Sequence, residues 1–256
     1  MSGGDRWMSA KRTVDAAIPI PVPHEGASVR WISRRKTISS PTGAATTIAR
    51  TSGAPALRSI SATNGCSFAS TPSPDIAAEI EYRARLYGAS ACSFSPIIAS
   101  GANSSMPHAG YSGQKLVPGL PLTIDLGVVL DGYCSDMTRT VFFKDCPQKW
   151  EQIYGLVDLA QRTAFERLRP GLLGRDGDTF AREVIESAGY GQYFGHGLGH
   201  GVGIQIHESP RLSQAETRTL EPGNVTSLEP GIYLPGEGGV RIENLMKYVQ
   251  VLNYPI

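Results

Sequence analysis

Residues 121–143 read PLTIDLGVVLDGYCSDMTRTVFF, and this stretch decides what kind of sheet the chain builds. Leu122, Ile124, Leu126 and Val128 alternate with Thr123, Asp125 and Gly127, the period-two pattern of a strand with one apolar face. Asp131-Gly132 is a two-residue hairpin signal, because both residues tolerate the positive φ that the tightest hairpin turns require. A turn there pairs Leu130 with Tyr133 and Asp125 with Thr138. Asp136 then shares a face with Asp125 as a diagonal neighbour, their backbones about 7–8 Å apart. Two carboxylates on one sheet face repel unless water or a cation neutralises them. A pair of metal ions about 3.5–4 Å apart fits such a face; so does a solvent-facing strand with incidental acids.

A second hairpin repeats the plan. In NVTSLEPGIYLPGEGGVRIENLMKYVQV, residues 224–251, two strand-like runs flank a Pro/Gly-rich connection, with Glu229 and Glu243 inside apolar surroundings. Val240 and Ile242 take one face, Arg241 and Glu243 the other. A carboxylate buried in such a run needs a paired charge or a metal, and an Arg241–Glu243 ion pair is the simplest alternative to a metal. Just upstream, HGLGHGVGIQIHE (residues 196–208) packs three of the chain's five histidines among four glycines. Histidine is the commonest metal ligand, and glycine lets the backbone approach something closely.

Helices fill the remainder. SPDIAAEIEYRARLYGA offers Ser73 as N-cap, Pro74 at the first helical position and Gly88 as a stop. From residue 148, Trp150, Ile153, Val157, Ala160, Ala164 and Leu168 step by three or four until Pro170-Gly171 ends the pattern. A third helix runs from about Asp176 to Ala188, stopped by Gly189. Helices combined with antiparallel hairpins in two similar halves define an α+β fold.

The chain has 256 residues, 41% of them apolar, enough for one large domain or two small ones. A net charge of +1 gives no signature of nucleic-acid binding, and no apolar run approaches the length of a membrane span. Residues 1–72 stand apart. They hold nine Lys/Arg against three Asp/Glu, sustain no helical or strand period, and are rich in Ser and Thr. They are expected to be a disordered or aberrantly encoded lead-in, with residues 73–256 as the catalytic domain. Four cysteines without a CxxC spacing read as free thiols, which makes the cytoplasm the default location.

IDLG, SDMTRT, HGLGHGVGIQIHESP and LEPGIYLPGEGGVRIEN stand in one order and spacing, and from about Ser73 to Val251 the chain resembles the pita-bread metallopeptidases. It is most similar to their Xaa-Pro aminopeptidase and dipeptidase branch. The resemblance implies a curved antiparallel sheet flanked by helices in two pseudo-symmetric halves, and two divalent metal ions. Manganese suits oxygen-rich ligation with one imidazole; cobalt and zinc would also serve. Asp125 would bind one metal, His200 and Glu229 the other, and Asp136 and Glu243 would bridge. His207 would donate to the substrate carbonyl, His108 would sit in the substrate site, and His196 would line the pocket. Glu229 would also move the proton. Arg241 and Thr138 would orient a bridging carboxylate from behind, Tyr233 would touch the same layer, and the glycines would let the backbone pass close to the metals.

The implied substrate is a peptide with proline second, and a homodimer is compatible with the resemblance. Methionine aminopeptidase shares the metal set, whereas the added His196 four residues before His200 favours the proline branch. A creatinase-like metal-free enzyme would share the fold, but the intact set of five ligands argues against it. An inactive peptide-binding homologue would share it too, and turnover with added manganese would separate that protein from an enzyme. Asn244 departs from the family, which commonly has an acid after the bridging glutamate; it lies on the opposite face, so little effect on the metals is expected.

Overall fold

The computed structural model describes residues 73–110, 112, 113 and 115–248. The lead-in expected over residues 1–72, with His24 and Cys66, lies outside the described residues. Helix α1 (Ser73–Leu86) leads into strands β1 (Ala91–Cys92) and β2 (Ile97–Ser100). The first hairpin follows as β3 (Pro121–Leu126), β4 (Val128–Leu130), β5 (Tyr133–Cys134) and β6 (Met137–Phe142). Helices α2 (Gln148–Arg167) and α3 (Gly174–Ser187) separate it from β7 (Gly199–Gly201) and β8 (Glu208–Leu212). The second hairpin comprises β9 (Val225–Leu228), β10 (Gly231–Leu234), β11 (Gly238–Arg241) and β12 (Asn244–Lys247).

The first hairpin keeps the register that its turn sets. Asp131 and Gly132 take φ values of 50° and 83°, Leu130 faces Tyr133, and Asp125 faces Thr138. Between β3 and β4, and again between β5 and β6, the ladder is interrupted, so the two ends of the hairpin join different sheets. The second hairpin breaks in the same manner. Gly231 pairs with Arg241 on one side and Asn244 with Leu228 on the other, and the common register leaves Glu229 opposite Glu243. Asp136, Glu229 and Glu243 all occupy these breaks, and Asp125 lies one residue inside β3.

Apolar faces turn outward onto helices. Trp150, Ile153, Val157, Ala160 and Ala164 of α2 are buried with Leu168 just beyond it, against Ile185 of α3 and Leu228, Ile232 and Val240 of the second hairpin. Burying a large aliphatic side chain contributes about 1.5–3 kcal/mol, which makes this stripe the main anchor of the second half. Under α1, Ile76 and Ile80 pack on Ile98, Leu122 and Leu126 in a smaller core. The polar faces of the two hairpins are thereby left to meet each other: Thr140 Oγ1 donates to Arg241 O at 2.9 Å and accepts from Arg241 N at 3.1 Å.

Two local expectations differ from the structure. The Ser73 hydroxyl donates to Ser112 O and accepts from Ser112 N instead of capping its own helix, because a tertiary partner competes for it. Helix α3 starts two residues early, since the Asp176 carboxylate accepts the Leu173 amide at 2.8 Å and so caps from within the first turn. Among the described residues no helix is long and apolar enough to cross a membrane.

Candidate metal centre

Asp136, His200 and Glu243 bring one potential ligand atom each to within 4.8 Å of one another, and all three residues are buried. Glu229 reaches the same space, with Oε1 3.3 Å from His200 Nε2. Asp136 Oδ2 lies 3.6 Å from that nitrogen. Asp125 faces the group from β3, where its Oδ2 accepts from Arg241 Nη2 at 2.6 Å. The hairpin breaks explain the convergence, since each presents acids from a strand end toward the other hairpin.

Electrostatics marks this as a strained set of charges. Burial raises the carboxyls of Asp125, Asp136 and Glu243, and neighbouring acids raise them further; Asp136 is pushed up to about 8. Glu229 moves the other way: burial opposes its charge, but the hydrogen bond with His200 holds it below the usual carboxylate range. Burial pulls the His200 imidazole down, and Glu229 beside it more than compensates, leaving it raised. Asp125 Oδ1 and Glu243 Oε1 are buried without a hydrogen-bond partner among the described residues. An orphaned acceptor in such a place costs about 1–3 kcal/mol, more for a charged group. Four carboxylates and one imidazole, with two oxygens aimed at nothing, fit a pair of hard divalent cations.

Arg241 does not pair with Glu243. Its Nη2 holds Asp125, its Nε donates to Thr138 Oγ1 at 3.1 Å, and Thr138 Oγ1 donates onward to Glu243 Oε2 at 2.7 Å. Arg241 thus stands behind the acids: it pairs directly with Asp125 and reaches Glu243 only through the Thr138 hydroxyl. Arg241 Nη1 also donates to Pro107 O and to Tyr233 OH. Burial pushes the Tyr233 hydroxyl up to about 12, which keeps it an O–H donor.

The remaining histidines differ in kind. His207 is exposed, with its ring edge-on to that of His200 at a centroid distance of 4.3 Å. His108, also exposed, follows the Pro107 carbonyl that Arg241 holds. His196 has both ring nitrogens engaged, Nδ1 with Gly197 O and Nε2 with Tyr233 OH, each at 2.8 Å. Burial lowers its pKa, favouring a neutral imidazole. The glycines of this segment are packed closely against neighbouring strands. A Cβ on Gly199 would stand 2.1 Å from Ser227 O, so the close approach is to the neighbouring strand β9.

Two residues that sequence reading passed over complete the frame. Ser227 Oγ accepts the His200 amide and donates to Glu229 Oε1, linking both sides of the site. Gln161 Nε2 donates to Leu228 O and Ile242 O, each at 2.9 Å, clamping the second hairpin just before Glu229 and Glu243. Gln161 is a lone polar residue on the apolar stripe of α2, and that position was its one signal in the sequence. Asn244 sits behind the site as expected, donating to Gln161 Oε1 and accepting from Arg139 Nη2.

The sequence profile of metallopeptidase family M24 matches residues 56–248. The chain belongs to this family, in its Xaa-Pro dipeptidase and aminopeptidase branch, and has the family's α+β pita-bread fold. It is 45% identical over 170 residues to the Xaa-Pro dipeptidase of Pyrococcus furiosus, covering 66% of this chain and 49% of that protein. The solved prolidase structure from Pyrococcus furiosus superposes with a TM-score of 0.70 and 42% identity, covering 71% of this chain and 54% of that one. The X-Pro aminopeptidase of Thermotoga maritima superposes with a TM-score of 0.70 and 37% identity, covering 71% and 52%. The chain spans about half the length of these relatives.

Proposed function

We propose that this chain is a dinuclear-metal-dependent peptidase that hydrolyses the Xaa-Pro bond at the N-terminus of dipeptides or longer peptides. The observation that carries the reading is the buried group of Asp136, His200 and Glu243, flanked by Asp125 and Glu229 and left with two unpartnered carboxylate oxygens. Asp125 would hold one metal, His200 and Glu229 the other, with Asp136 and Glu243 shared. Manganese fits the donors, and cobalt or zinc would also serve. When bound, the metals supply Lewis acidity for activating water and polarising the scissile carbonyl.

The chain's own groups do the rest. Glu229, held below the usual carboxylate range, is available near neutral pH to accept a proton and return it to the leaving amine. His207, exposed beside His200, donates to the developing oxyanion. His108 meets the proline region, where a tertiary amide brings no N–H to be satisfied. His196, with both nitrogens engaged, lines the pocket through Tyr233 and Arg241. The names of the relatives support the proline specificity.

Turnover of the manganese-loaded protein on Xaa-Pro dipeptides, Xaa-Pro tripeptides and Met-Ala peptides tests the proposal. Better cleavage of Met-Ala than of Met-Pro peptides assigns the methionine aminopeptidase reading instead, and metal loading without any turnover assigns a binding protein. The same reading includes a cytoplasmic location, in keeping with free Cys92, Cys134 and Cys146, and a homodimer that light scattering would reveal. It also places the catalytic unit from about Ser73. The family match begins upstream, at residue 56, and a melt of a chain starting at Thr71 distinguishes the two boundaries. Under this reading it melts like the full chain, and a much lower melting temperature assigns part of the upstream segment to the domain.

A further inference from the structure

One buried ion pair on α3 reaches into the histidine-bearing segment from behind. Asp178 is fully buried, and its two oxygens accept from Arg182 Nε and Nη2 at 2.7 and 3.0 Å. Arg182 then donates from Nη1 to Phe194 O at 2.9 Å and from Nη2 to His196 O at 2.7 Å. Asp178 Oδ1 accepts the Leu198 amide at 2.9 Å. The pair therefore grips every second residue from 194 to 198. That segment belongs to no strand and contains Gly195 and Gly197, so no ladder holds its path.

The grip extends to side chains. The Arg182 guanidinium lies 4.3 Å from the Phe194 ring centroid. Phe194 in turn meets the His196 ring edge-on at 5.1 Å. His196 Nδ1 faces the Gly197 carbonyl and must donate to it, which leaves Nε2 as an acceptor for the Tyr233 hydroxyl. Tyr233 accepts from Arg241, which holds Asp125. A continuous chain of hydrogen bonds thus links the segment held by α3 to a carboxylate of the metal centre. Buried ion pairs are poor sources of net stability compared with apolar packing, so a gain in stability does not explain this one; a fixed backbone path does.

We propose that Asp178 and Arg182 are positioning residues: they set the path of residues 194–198, and so the ring orientation of His196 against Tyr233. The proposal rests on the peptidase reading for its catalytic consequence but not for its geometry. Arg182→Lys keeps the charge and loses the planar fork that serves two carbonyls and a carboxylate at once. In the full chain loaded with manganese, this variant should lower kcat on Xaa-Pro substrates by about tenfold to a hundredfold, the scale of a misplaced catalytic geometry. Bound metal should stay at the wild-type stoichiometry. In a His196→Ala background the same substitution should change kcat less than about twofold, because the two act through one element.

A second readout needs no turnover. In metal-free protein carrying 15N-histidine, Arg182→Lys should shift the His196 ring nitrogens away from the Nδ1–H form while leaving those of His108 in place. Unshifted His196 signals, or effects on kcat that multiply fully in the double variant, overturn the proposal. Should Arg182→Lys fail to fold, Asp178→Asn, which keeps an oxygen for the Leu198 amide but removes the charge that fixes the Arg182 fork, carries both measurements with the same expected outcomes. If the wild-type chain cleaves no Xaa-Pro substrate, the peptidase reading fails, and the ring signals still decide the positioning role.

Discussion

Arg241 Nη2 lies 2.6 Å from Asp125 Oδ2, joining the end of β11 to β3 across 116 residues of sequence. This contact ties the two hairpins together at the floor of the candidate metal centre, and both partners are buried. Arg241→Gln leaves the Asp125 charge without its cation, so the metal-free protein should lose roughly 3 kcal/mol or more at pH 8. The loss should shrink at pH 5, where Asp125, already raised by burial, takes a proton instead. Urea unfolding of the variant at the two pH values checks this; an equal loss at both refutes it.

Asp136→Asn and Glu243→Gln should each lose bound metal and activity together, because each removes an oxygen assigned to both ions. Elemental analysis of the purified variants is the measurement. Near-full occupancy of two ions in either variant would remove the shared-ligand assignment.

Metal-free protein should be less stable at pH 8 than at pH 5. Asp125, Asp136 and Glu243 are raised in the folded state, Asp136 to about 8. In the unfolded chain such groups titrate near ~4. Between those values the folded state holds more protons than the unfolded one, so stability is present at low pH and falls as pH rises. Glu229, lowered, contributes with the opposite sign, and its share is lost only at acid pH. Divalent cations replace the protons, so the gain in melting temperature on adding manganese to chelator-treated protein should grow from pH 5 to pH 8. A gain that is flat or falls with pH contradicts the assignment.

Thr138→Val removes a hydroxyl that accepts from Arg241 and donates to Glu243, with almost no change of volume. Losing such a partner behind a ligand costs about 10–100-fold in metal affinity or activity. Titration calorimetry with manganese should show that drop while the fold, followed by circular dichroism, is retained.

Asn244→Asp should destabilise the chain by about 1 kcal/mol. The Gln161 amide nitrogen is committed to Leu228 O and Ile242 O, so its oxygen faces residue 244 and needs a donor there. A carboxylate supplies none, although Arg139 offsets part of its charge. A thermal melt of metal-loaded protein measures the difference; a more stable variant would show that Arg139 outweighs Gln161.

Sequence alone determined the features that depend on neighbours along the chain. The Asp131-Gly132 turn specified the register that pairs Asp125 with Thr138, because turn geometry leaves one pairing open. The apolar stripe from Trp150 to Leu168 specified which face of α2 is buried, because helical period is local. The acids now grouped around His200 were visible as candidates because each sits on or beside a strand whose faces can be counted, and the resemblance to the pita-bread metallopeptidases named them as one set. Tertiary structure decided the partnerships of the polar groups. That Arg241 chooses Asp125 over Glu243, that Ser73 bonds Ser112, and that Asp178 and Arg182 hold the His196 segment all depend on distances between remote parts of the chain. A buried charge takes whichever counter-charge the packing brings within about 3 Å, and packing is a property of the whole fold.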